Sequence, residues 1–263
     1  MNIKGIISDL DGTVYRGEKV IPGAPELFRR LREANVRVVF ISNKPLESRE
    51  AYAEKLTRMG IPTRPEEVVN SSLVMAHYLA REMPGATVFV IGERPLLEEL
   101  AAAGVRFSED PEQIKAVIAS FDRTFDYRKL NIAFQALKRG ARFLATNADA
   151  SCPVENGEIP DAGAVIGALK GCTGRDVEVV VGKPSSLMLE TALEMLNLPP
   201  GQCLIVGDRL ETDILMGKRA GVATALVLTG VTTREALARS PIQPDYVLES
   251  ICELLTHPEL GKW

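Results

Sequence analysis

Four short apolar runs in this chain each end in groups that bind or move charge. Ile3-Lys4-Gly5-Ile6-Ile7-Ser8 leads into Asp9-Leu10-Asp11-Gly12-Thr13, and Val38-Val39-Phe40-Ile41 into Ser42-Asn43. Val179-Val180-Val181 leads into Gly182-Lys183-Pro184, and Leu204-Ile205-Val206 into Gly207-Asp208, with Asp213 following on the same segment. Singly, each has a plain reading. Asp9-Leu10-Asp11 could be a surface turn or a fragment of a calcium loop, and Ser42 or Asn43 could cap the next helix. Glu211 and Asp213 could favour a helix N-terminus, and Gly182-Lys183 lacks the spacing of a P-loop. Together, the four ends offer carboxylates for a hard cation, an ammonium for phosphate charge, and hydroxyl and amide donors for phosphate oxygens. On a strand, Asp9 and Asp11 would share a face and repel unless a cation or a proton sat between them.

The elements that must hold these groups follow from hydrophobic spacing. Short β-branched runs alternate with amphipathic segments, the pattern of βαβ units around a mainly parallel sheet. Strands are expected at Ile3–Ser8, Val36–Ser42, Thr87–Ile91, Lys115–Ser120, Arg142–Ala145, Val177–Val181, Cys203–Val206, Thr224–Leu228 and Asp245–Leu248. The helix Pro25–Asn35 places Leu27, Phe28 and Leu31 on one stripe and Arg29, Arg30 and Arg32 elsewhere on its wheel. Further helices are expected at Leu46–Met59, Arg94–Ala103, Tyr127–Arg139 and Val165–Gly171. The reactive groups then stand at the carboxyl ends of strands, the edge at which open α/β sheets bind ligands.

Bulk properties narrow the function classes. The chain has 263 residues, is 46% hydrophobic and 25% charged, and carries a net charge of −4. That is ordinary globular usage, with no run of Lys or Arg to track a nucleic-acid backbone. No segment has the ~20 consecutive apolar residues of a membrane span, and the N-terminus lacks the signature of a signal peptide. Cys152, Cys172, Cys203 and Cys252 are scattered, without a CxxC pair, and His77 and His257 are the only histidines. A zinc site is therefore not expected, and reduced thiols fit a cytoplasmic setting.

In their order, Asp9-x-Asp11-Gly12-Thr13, Ser42-Asn43, Lys183 and Gly207-Asp208-x-x-x-x-Asp213, these motifs resemble those of the haloacid dehalogenase superfamily of phosphatases over essentially the whole chain. The p-nitrophenyl phosphatase-like subfamily is the nearest likeness. It is carried by Asp11-Gly12-Thr13-Val14-Tyr15, Ala145-Thr146-Asn147-Ala148-Asp149 and Val181-Gly182-Lys183-Pro184-Ser185. Ser42-Asn43-Lys44 stands where members often have Thr-Asn-Asn, and Pro160-Asp161-Ala162-Gly163 replaces the commoner Pro-Gly-x-Gly. Both departures bear on substrate identity more than on chemistry.

The resemblance implies an α/β protein with a Rossmann-like, mainly parallel sheet core and an inserted α/β cap. The core is expected at 1–75 and 179–263 and the cap at 76–178, because the long stretch between Asn43 and Lys183 has an α/β pattern of its own. The cap residues Asn147, Asp149 and Asp161 to Ala164 could be turn and capping residues, or could read the substrate. The implied enzyme is a Mg²⁺-dependent phosphatase acting on a small phosphorylated metabolite (sugar, polyol, nucleotide or cofactor phosphate) through an aspartyl-phosphate. Asp9 would be the nucleophile. Asp11 would be the acid and base, its backbone carbonyl joining the metal shell with the carboxylates of Asp9 and Asp208, while Asp213 stands behind them or acts through water. Lys183, Ser42, Asn43 and the amides near Gly12 would hold the phosphate. Phosphotransfer to another alcohol and a catalytically silent phosphate-binding protein remain open alternatives, and a homo-oligomer is open too.

Overall fold

The computed structural model describes residues 3–154 and 157–260. The chain divides into two compact units, one of residues 1–42, 49–69 and 183–263 and the other of 43–48 and 70–182.

The first unit is built on a six-stranded sheet. From one edge to the other its strands are Tyr246–Leu248, Ala223–Val227, Cys203–Gly207, Gly5–Asp9, Arg37–Ser42 and Val68–Asn70. The chain starts in the middle, builds outward to one edge, and returns to fill the other side. Gly5–Asp9 runs parallel to both of its neighbours, in register Ile7 with Ile205 and Ile7 with Val39. Every residue of this strand is buried, as parallel strands covered on both faces require. The helix Ala24–Glu33 buries Leu27, Phe28 and Leu31, while Arg29 and Arg30 stay outside and Arg32 is half-buried. The Phe28 ring meets Phe40 edge-on at 5.1 Å between centroids. Each such side chain stabilises the fold by about 1.5–3 kcal/mol through burial.

The second unit carries a five-stranded parallel sheet in the order Val179–Val180, Arg142–Ala145, Ala116–Ala119, Thr87–Ile91 and Arg106–Phe107. Phe89, Ile91, Val117, Phe143, Val165 and Leu169 are buried together in its core. Helices cover it at Arg94–Ala102, Tyr127–Lys138 and Ala162–Thr173. An antiparallel hairpin, Ser151–Val154 with Gly157–Pro160, was not anticipated from the sequence. The second unit resumes at Asn70, which caps the helix Ser71–Glu82, accepting from Leu73 N at 3.0 Å, and donates from Nδ2 to the Glu47 carbonyl at 3.2 Å. Ser71 Oγ likewise donates to the Asn43 carbonyl at 2.7 Å, which draws 43–48 into the same unit. Among the described residues no helix is long and apolar enough to cross a membrane.

Candidate active site

Asp9 is the last residue of the central strand, and there the backbone turns sharply. The amides of Thr13, Val14 and Tyr15 all point at the Leu10 carbonyl, and Gly12 N donates back to Tyr15 O at 2.7 Å. Gly12 has φ 87°, a left-handed conformation that glycine adopts without steric cost. The strand therefore ends at Asp9, and Asp11 lies in the turn beyond it, exposed, with Oδ1 accepting from Gly17 N at 3.4 Å. Asp9 and Asp11 do not stand on one strand face as the spacing alone suggested.

Groups that follow two other strands, Val179–Val180 and Cys203–Gly207, gather about Asp9. Lys183 Nζ donates to Asp9 Oδ1 at 2.5 Å and to Asp213 Oδ1 at 2.7 Å. Asp213 is fully buried in the π-helical turn Leu210–Ile214, and its Oδ2 accepts from Arg209 N at 3.2 Å. Asp208, one residue past the strand Cys203–Gly207, accepts from Val231 N at 2.6 Å through Oδ2. Thr13 Oγ1 reaches Asp9 Oδ2 at 3.4 Å. Carboxylate oxygens of Asp9, Asp208 and Asp213 lie within 4.8 Å of one another.

This arrangement is electrostatically unbalanced. With all three buried carboxylates ionised, they would carry two negative charges more than the one buried ammonium, Lys183, offsets, and the Arg209 charge acts on Asp208 only as a lesser influence. Burial pushes the Asp9 carboxyl up to about 8; Lys183 pulls it down, while Asp213 and Asp208 push it further up. Burial also raises Asp208, to about 6, with Asp213 adding to the effect and the Val231 amide opposing it. Burial on its own would lower Lys183, but Asp213 and Asp9 outweigh it and hold the ammonium above its usual range. A divalent cation with a taste for hard oxygen would restore neutrality. The spread of the carboxylates is comparable with the ~4 Å between opposite oxygens of a Mg²⁺ shell. The donor set therefore fits the expected metal, with Asp213 inside the carboxylate cluster and the Asp11 side chain outside it.

Ser42 ends the strand Arg37–Ser42 in the first unit, buried, its Oγ 3.2 Å from Tyr52 Oη. Asn43, the next residue, belongs to the second unit, where Nδ2 donates to Asp149 Oδ2 at 3.0 Å. Asp149 accepts also from Asn147 Nδ2 at 3.0 Å, and that amide reaches Asp161 Oδ1 at 3.0 Å. Asp161 caps the helix Ala162–Thr173, so it has a structural duty whatever else it does. Burial raises its carboxyl, and the amides of Asn147 and Ala162 and the Lys44 charge work against that rise.

Sequence reasoning missed the segment Thr229–Thr232. Thr229 Oγ1 donates to the Gly12 carbonyl at 2.6 Å, and the amides of Val231 and Thr232 donate to Asp208, the latter to its carbonyl at 3.2 Å. The signal was present: the apolar strand Ala223–Val227 also runs into small and hydroxyl residues, as the four recognised strand ends do.

Comparison with known proteins agrees with this geometry. A haloacid dehalogenase-like hydrolase family model matches residues 6–106, and a second model of hydrolases of that kind matches residues 180–254. Sugar-phosphatase AraL of Bacillus subtilis is 42% identical over 98% of this chain and 94% of its own length. An acid sugar phosphatase of Staphylococcus saprophyticus is 35% identical over 98% of this chain and 99% of its own. The crystal structure of a 4-nitrophenylphosphatase from Thermotoga maritima superposes with a TM-score of 0.93 at 34% identity, covering 97% of each chain. The chain thus belongs to the haloacid dehalogenase-like hydrolases and, within them, to the p-nitrophenyl phosphatase-like phosphoric monoester hydrolases.

Proposed function

We propose that the chain is a Mg²⁺-dependent phosphatase that hydrolyses a small phosphorylated metabolite, a sugar or polyol phosphate foremost, by way of an aspartyl-phosphate on Asp9. The observation that carries this reading is the buried cluster of Asp9, Asp208 and Asp213 around Lys183 at the carboxyl ends of neighbouring strands. The names borne by the sugar phosphatase relatives support the substrate class.

When bound, the metal would neutralise charge on the phosphoryl oxygens and hold the group in line with its attacker; the carboxylates of Asp9 and Asp208 and the Asp11 carbonyl are its proposed ligands. An Asp9 carboxylate oxygen attacks phosphorus and the ester oxygen leaves, taking a proton from the Asp11 carboxyl. Asp11, now a carboxylate, takes a proton from the water that attacks the aspartyl-phosphate. Phosphate departs, the Asp9 carboxylate re-forms, and Asp11 is again protonated. Asp11 lies in the exposed turn just past Asp9 and outside the carboxylate cluster. Lys183 offsets the crowding of Asp9 and phosphate, Asp213 holds Lys183 in place, and Ser42 and Asn43 donate to phosphate oxygens; the Gly12 amide, spent on the Tyr15 carbonyl, is not among the donors. The second unit, with 76–178 as its body, serves as a cap that selects substrate and excludes water. Four free thiols agree with a reducing, cytoplasmic setting.

The test is a phosphatase assay with p-nitrophenyl phosphate and a panel of sugar phosphates. EDTA should abolish turnover and Mg²⁺ restore it, and rapid acid quench should trap phosphate on Asp9. Full activity in EDTA, or a trapped phosphate on another residue, would overturn the assignment.

A further inference from the structure

The Asp208 carboxylate is held between two backbones that lack side chains. A Cβ built on Gly12 would stand 2.5 Å from Asp208 Oδ2 and 3.0 Å from the Cα of Gly230. A Cβ built on Gly230 would run still closer into Oδ2, Cβ and Cγ of the same aspartate. Contacts between non-bonded heavy atoms are best near ~3.5–4 Å, so neither position admits even a methyl group. Gly12 also needs its left-handed turn, whereas no such backbone demand acts at Gly230. Close approach to Asp208 is the constraint there.

The same loop ties down three other points. Val231 N occupies Asp208 Oδ2, Thr229 Oγ1 grips the Gly12 carbonyl, and Arg16 Nε donates to the Thr229 carbonyl. Rotation of the Asp208 carboxylate would have to break the Val231 bond and push aside a glycine. The slot therefore commits Oδ2 to the loop and leaves Oδ1 as the oxygen to offer a cation.

From this we propose that Gly230 is a positioning residue for the metal site: with Thr229 and the Val231 amide it forms a glycine slot that orients Asp208 for the divalent ion. The inference rests on the metal-dependent reading above and adds to it a residue outside the four strand-end motifs. Partners that orient a ligand typically carry a 10- to 100-fold effect on metal affinity, and about that loss is expected here.

The experiment compares wild type, Gly230→Ala and Gly201→Ala in the full chain, with Mn²⁺ as a spectroscopic probe. Gly201 has open space around it and serves as the matched control for adding one methyl. Mn²⁺ affinity is read by electron paramagnetic resonance titration, alongside metal-free melting and the substrate KM at saturating Mg²⁺. Gly230→Ala should bind Mn²⁺ about 10- to 100-fold more weakly, regain most of its turnover at high Mg²⁺, and keep its KM; Gly201→Ala should match wild type. A folded Gly230→Ala with wild-type Mn²⁺ affinity would overturn the slot alone, whereas a wild-type protein that binds no Mn²⁺ and turns over in EDTA would overturn the metal reading and the slot together. Should Gly230→Ala fail to fold, Thr229→Val and Thr229→Ser decide the matter. Weakened Mn²⁺ binding in the valine variant, restored in the serine variant, supports the slot, and equal affinity in both overturns it.

Discussion

Replacing Lys183 by Met keeps most of the apolar stem but removes the ammonium that Asp9 and Asp213 share at 2.5 and 2.7 Å. Removing one partner of a buried ion pair generally costs about 3–5 kcal/mol, because the remaining charge stays buried and uncompensated. Asp9, pushed up to about 8, already carries its proton over this range, and a carboxylate bared beside it has an escape, which is to take up a proton. For an ordinary aspartate near 3.9 that costs ~1.4 kcal/mol per pH unit above this value, or ~1.5 kcal/mol at pH 5 and ~5 kcal/mol at pH 7.5. The penalty is set by whichever route is cheaper. The first unit of Lys183→Met should thus lose ~1.5 kcal/mol at pH 5 and ~3–5 kcal/mol at pH 7.5. The sign follows from linkage: the folded variant holds its carboxylates above their unfolded values. Its relative stability is greatest below those values and falls as pH rises. Hydrogen exchange of the buried amides in the strand Gly5–Asp9, measured in EDTA and corrected for intrinsic rates, reads this free energy in the first unit alone. Mg²⁺ at pH 7.5 should recover part of the loss by replacing the missing positive charge. A loss that is the same at both pH values would refute the account of the cluster as a charge balance.

On the proposed mechanism, Mg²⁺ would have to displace protons from Asp208, pushed up to about 6, and Asp9, pushed up to about 8. Its apparent affinity in calorimetry should therefore climb between pH 6 and 8 with proton release, and a flat profile would contradict the raised values. Asp11→Asn keeps the nucleophile but loses the proton donor and acceptor, so p-nitrophenyl phosphate, whose leaving group scarcely needs protonation, should give a burst of nearly one equivalent followed by slow turnover. An alkyl phosphate should give no burst, and identical behaviour of the two esters would remove Asp11 from that role. Asp149→Ala deprives the Asn43 amide of its acceptor at 3.0 Å, and a hydrogen bond to a charged group contributes ~1.5–3 kcal/mol. KM for sugar phosphates should rise roughly tenfold or more while kcat changes less, and an unchanged KM would exclude Asn43 as a phosphate donor.

Much of this was legible in the chain because each motif is local: an apolar run followed by the groups it carries. The strands at Thr87–Ile91 and Arg142–Ala145 fall where hydrophobic spacing places them, and the α/β architecture rests on many such units. The strand Val68–Asn70 and the hairpin Ser151–Val154 with Gly157–Pro160 escaped for a physical reason. Three or four residues are too few to display a period, and Pro153 and Pro160 read as breakers although a two-stranded edge tolerates them. The Asp213 contact with Lys183 and the approach of Gly230 to Asp208 are products of tertiary packing, so no spacing in the sequence announces them.

The topology of the six-stranded sheet also bears on how the protein emerges from the ribosome. Its central strand, Gly5–Asp9, pairs on one side with Cys203–Gly207, a partner translated long after it. Residues 70–182, by contrast, form an almost continuous compact unit whose sheet strands all precede that partner, four of the five being complete by Ala145. Domains generally fold as units during synthesis, and long-range strand pairing is slow because loop closure must precede it. The second unit should therefore fold first, while the strand Gly5–Asp9 waits with one edge unpaired. In that interval the apolar stretch before Asp9 is a template for strand addition, and a slow stage of translation there would expose the nascent chain to aggregation before it could ever meet a metal ion.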